Sequence, residues 1–97
     1  MRKFVILLAM TVLLKARYTS MPGADPEYGQ GAIERNDLSH REIEHFVWIF
    51  ETEDGDRDEW QRKLNAAVDP KHGSFTVECA TPEEEERVRN GTITLQR

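Results

Sequence analysis

An eleven-residue apolar run, Phe4 to Leu14, lies inside an N-terminal segment that holds Arg2, Lys3, Lys15 and Arg17 and no acid. Few structures absorb such a stretch. As a secretory leader, Met1-Arg2-Lys3 would be the positive end and Phe4–Leu14 the hydrophobic centre. The cleavage end fits poorly, because Lys15 and Arg17 follow at once and Ala16 is the nearest small residue, with Leu14 two positions before it. A membrane anchor would need about 20 apolar residues. As a strand, the run passes into Lys15-Ala16-Arg17-Tyr18, where polar and apolar residues begin to alternate. That pattern describes a central strand emerging at the end of a sheet, and it is the reading adopted, with removal of residues 1–16 as a leader kept as the alternative.

The other 77 residues hold all eighteen acids against nine basic residues. This balance disfavours direct binding to nucleic acid or to anionic membrane, both of which call for clustered Lys and Arg. A basic protein partner suits it better. Cys79 is the only cysteine, so neither an internal disulfide nor a Cys-rich zinc site can form, and a reducing, cytoplasmic setting is expected, with export as the alternative. Ninety-seven residues suit a single domain, 1–97, with one core.

Residues 19–37 contain Pro22, Gly23, Pro26, Gly29 and Gly31, and read as a long flexible loop in which Tyr28 should be exposed. Residues 38–51 carry two opposed signals. Ser39-His40-Arg41-Glu42 has the form of a helical capping box, with Leu38 and Ile43 as its staple, whereas Phe46-Val47-Trp48-Ile49-Phe50 is an aromatic and β-branched run that favours a strand. Strand is preferred. Asp58 to Val68 places Trp60, Leu64, Ala67 and Val68 at helical spacing, with acids at the start and Asp69-Pro70 as a stop, so a main helix is expected over 57–68. Ser74–Ala80 alternates as a half-buried strand, with Phe75, Val77 and Cys79 inward. Thr81-Pro82-Glu83-Glu84 opens a short helix over 82–89, and Asn90-Gly91 either ends it or turns a hairpin. Thr92–Gln96 alternates as a last strand. The sum is an α+β fold, with a small antiparallel or mixed sheet of about four strands and helices packed on one face. Its edges invite homodimerisation by strand addition.

The chemistry-bearing candidates are acidic. Glu51, Glu53, Asp54, Asp56, Asp58 and Glu59 form the densest patch. An EF-hand fails in both registers, since starting at Asp54 puts Glu59 at the sixth position and taking Gly55 as sixth puts Phe50 first. A looser metal-assisted enzyme built on these carboxylates with His45 or His72 is one alternative. His40 and His45 are five apart, not the four that set two zinc ligands on one helical face. No nucleophile elbow, phosphate-binding glycine loop or CxxC pair occurs. Asn90-Gly91-Thr92 is a glycosylation sequon, relevant only to an exported chain. Glu83, Glu84, Glu85 and Glu86 form a second acidic run, and Trp48 and Trp60 are expected in the core. The expectation is therefore a non-enzymatic interaction protein without cofactor or metal, an inhibitor or adaptor presenting both acidic runs to a basic site on its partner.

Overall fold

The computed structural model describes residues 11–53 and 55–97. Phe4–Met10, most of the apolar run, and the acid Asp54 lie outside them. Seven elements follow one another: β1 (Val12–Ser20), α1 (Glu27–Arg35), β2 (Ser39–Glu44), β3 (Val47–Thr52), α2 (Arg57–Ala66), β4 (Gly73–Cys79) and α3 (Pro82–Arg89). The strands form one antiparallel sheet in the order β2-β3-β1-β4. This is the expected α+β class, and the β-α-β-β-α-β order is that of ferredoxin-like domains, a scaffold shared by many unrelated functions.

β1 is central because both of its neighbours pair with it, Leu14 standing opposite Phe50 on one side and Cys79 on the other. Its alternate residues Leu14, Ala16 and Tyr18 join Trp48, Phe50, Phe75 and Val77 on one face, where Ala32 and Ile33 of α1 and Leu64 of α2 complete the core. Val47 and Ile49, on the opposite face, are buried as well. β3 is thus apolar on both sides, which explains its unbroken run of large residues. Lys15 points to that opposite face and meets Glu84 of α3 at 3.0 Å. The placement of the helices is refined accordingly: α2 lies over the main core and α3 meets the sheet from the Lys15 side. Cleavage after Ala16 would take Leu14 and Ala16, both fully buried, out of the central strand. Among the described residues no helix is long and apolar enough to cross a membrane.

Several sequence expectations are corrected. The segment 19–37 is not one loop, since residues 27–35 form α1, which starts just after Pro26 with the Glu27 N–H donating to Asp25 Oδ1 at 2.9 Å. Gly29 serves packing there, because a Cβ at that position would stand 2.6 Å from Cγ of Tyr18. Residues 38–51 are two strands joined at His45-Phe46, with Phe46 in the left-handed region (φ 64°), and the Ser39 capping box does not form. Thr92–Gln96 supplies only one isolated bridge, Gln96 to His40. Gly91 (φ 87°) follows the end of α3 as a helix-terminating residue rather than a hairpin turn. Cys79 is exposed, since the inward alternation of β4 fades after Val77. Tyr28 is exposed as expected, with its ring stacked 4.0 Å from that of His72.

Both edges of the sheet carry covers. On β4, the Phe75 N–H donates to Asn65 Oδ1 at 2.7 Å and the Val77 N–H to Gln61 Oε1 at 2.9 Å, while Asn65 Nδ2 donates to the Phe75 carbonyl at 3.3 Å. Two amide side chains four residues apart on α2 therefore stand in for a fifth strand. On β2, His40 exchanges both backbone hydrogen bonds with Gln96. Strand addition between two copies, the dimer mode expected from sequence, would have to displace these groups.

Candidate functional site

The acids of 51–59 divide by task. Asp56 is the N-cap of α2, its Oδ1 accepting from the Asp58 N–H at 3.0 Å and the Glu59 N–H at 3.3 Å. Asp58 and Glu59 fall in the first turn, where the helix dipole favours them. Glu51 lies on β3 between Leu13 of β1 and Ser39 of β2, and Glu53 is exposed just beyond the strand. Among the described residues no group of three or more His, Cys, Asp or Glu converges to hold a metal ion.

The second run is built into α3. Thr81 caps the helix, accepting from the Glu84 N–H at 3.1 Å, while Glu84 Oε1 accepts from the Thr81 N–H at 2.8 Å. The other oxygen of Glu84 takes the Lys15 ammonium, and both side chains are largely covered. Burial of Glu84 acts to raise its pKa, but the Thr81 N–H and Lys15 outweigh it and hold the carboxyl below its ordinary value. A lowered folded pKa means that the ionised group stabilises the fold above the ordinary glutamate value of 4.5, and that this share is lost as acid carries the pH down through the folded pKa. Lys15→Met is accordingly expected to cost about 1–2 kcal/mol at neutral pH. Urea midpoints measured from pH 6 downward should show a shallower acid decline in the variant than in the parent, and parallel declines would refute this role for the pair. Glu86 pairs with Arg89 at 2.7 Å, and Glu83 is exposed.

The fold brings part of each run to one end of the sheet. Glu51, Glu53 and Glu59 border a cleft of about 410 Å³ that also takes in Asp37, Trp60 and Lys63. Glu51 and Glu85 border a neighbouring cleft of about 300 Å³ with Leu13, Val88 and Arg89. Glu51 and Thr11 border both. The positive charges here are Lys63, whose ammonium sits 4.5 Å from the Trp60 ring centre, with Arg89 and Arg97. Asp56, Asp58, Glu83, Glu84 and Glu86 line neither cleft. Asp37 was missed in the sequence because it sits at the end of a segment read as loop. Its left-handed backbone (φ 53°), where Asp is better tolerated than most residues, turns the chain from α1 into β2. Compared with known proteins, the chain matches no family, no curated protein and no solved structure.

Proposed function

We propose that this protein is a non-catalytic interaction module, an inhibitor or adaptor, whose acidic end around Glu51 docks on a basic surface of a partner protein. The observation that carries the reading is that Glu51 borders both clefts, so acids from β3, α2 and α3 gather at one end of the sheet. Carboxylates arranged in this way attract a Lys- or Arg-rich site over distance and fix its register on contact. The buried or capping acids, Glu84 and Asp56, serve the fold instead.

The chain immobilised as bait in a native extract at low salt is expected to retain a basic protein that a salt gradient releases. The triple variant Glu51→Lys, Glu53→Lys, Glu59→Lys should fold and lose that protein. Screening reaches about 3 Å at 1 M salt, so retention that survives 1 M salt and the triple reversal would defeat the charge mechanism.

A further inference from the structure

The outer edge of β2 already holds a strand-like visitor from its own chain. The His40 N–H donates to the Gln96 carbonyl at 2.8 Å, and the Gln96 N–H donates back at 2.9 Å. Arg41 Nε donates to the Thr94 carbonyl at 2.9 Å, and Arg97 Nε donates to the Asp37 carbonyl at 3.2 Å, 3.7 Å from the Asp37 carboxylate. Thr94, Gln96 and Arg97 are exposed, so this hold is shallow. The bridge is confined to one residue pair. Because backbone groups alternate along an antiparallel strand, the N–H and C=O of Glu42 face the same way as those of His40, outward from the sheet. Beside this edge, between α1 and the β2–β3 hairpin, runs a cleft of about 550 Å³ walled by Glu27 and Glu34 of α1 on one side and by Glu42, His45, Phe46 and Trp48 of the hairpin on the other. With Asp37 at its end, the edge offers four carboxylates against Arg41 and Arg97.

We propose that the outer edge of β2 is a docking site for an extended basic segment of a partner protein. The segment pairs antiparallel in place of residues 94–97 and sets a Lys or Arg opposite Glu42. Main-chain pairing supplies the hold and alternate side chains the selectivity, as in strand addition generally. In the register fixed by Gln96 opposite His40, the residue facing Glu42 is Thr94, a neutral side chain where an opposite charge would be favoured. Residues 94–97 are thus a cover that a better-matched strand displaces. Apart from Asp37, which also borders the larger cleft at Glu51, the site uses other carboxylates than those clefts and goes beyond the function proposed for them.

A labelled peptide of residues 90–97 bearing Thr94→Lys is titrated at low salt against the full chain, the full chain with Gln96→Pro, and a chain ending at Ile93. Proline cannot donate to the His40 carbonyl, so the cover is released in the second protein without shortening it. The peptide should bind both altered chains at least tenfold more tightly than the parent, slowing exchange of the Glu42 amide. A Thr94→Glu peptide should bind about fivefold or more weakly than the Thr94→Lys one. Charge reversal at Glu51, Glu53 and Glu59 should leave this binding unchanged, which separates the edge from the acidic clefts. Folded Gln96→Pro protein that ignores the peptide, or a parent in which the His40 amide exchanges as slowly as that of Ile49, would overturn the proposal.

Discussion

Phe50→Ala is expected to remove about 3–5 kcal/mol, the usual cost of deleting a buried aromatic ring from a close-packed core. Phe50 is completely buried, faces Leu14 across the β1–β3 pair, and meets the Trp60 ring of α2 edge-on with centroids 5.7 Å apart. Truncation would open a void where the central strands meet the main helix, and the hydrogen-bonded strands would close over it only in part. A domain of this size has about 5–15 kcal/mol in total, so the variant should melt at least about 12 °C lower. Urea unfolding should show a fall in midpoint at constant slope. Phe50→Leu, which retains most of the volume, should lose much less. A loss under 1 kcal/mol for the alanine variant would mean that Phe50 is not packed as described.

Asn65→Ala is the second large effect, and it arises from hydrogen bonding rather than volume. One side-chain amide serves both the N–H and the C=O of Phe75 on the outer edge of β4. Removing it strands two main-chain groups in a half-covered place, at a cost of about 2–4 kcal/mol. Asn65→Asp keeps the acceptor for the Phe75 N–H and drops only the donor, so it should fall between parent and alanine. Hydrogen exchange at the Phe75 amide distinguishes the cause: it should accelerate strongly in Asn65→Ala and little in Asn65→Asp. Equal exchange in the two variants would show that Asn65 does not cap the edge.

The parts of this fold that were legible in the sequence are those whose local signals agree with their tertiary setting. Asp56 and Thr81 are standard caps with proper followers, and both helices begin where those residues stand. Alternation in β4 holds through Phe75 and Val77 because the core lies on one side of that strand. Legibility failed where a residue serves a distant neighbour. Gly29 and Gly31 inside α1 look like loop punctuation, yet Gly29 is small because the Tyr18 ring lies on it. The turn at His45-Phe46 has no Gly, Asn or Pro to announce it. It is held instead by the Phe46 N–H donating to the Glu42 carboxylate at 2.9 Å and the Tyr18 N–H donating to the Phe46 carbonyl at 2.9 Å. Of the candidate site, composition and spacing supplied the acids themselves. Their division into capping, paired and cleft-lining groups depends on contacts between residues distant in sequence, such as that of Lys15 with Glu84.

The two tryptophans occupy different worlds within this architecture. Trp48 is almost wholly enclosed, its indole N–H donating to Gln30 at 3.0 Å, while Trp60 is half-buried on the wall of the acidic cleft beneath the Lys63 ammonium. The molecule therefore carries its own pair of fluorophores, one tuned to the integrity of the interior and one to events at its surface. In a Trp48→Phe background, emission would come from Trp60 alone, and a partner arriving at the cleft would be read as a change in colour or intensity while the fold stays intact.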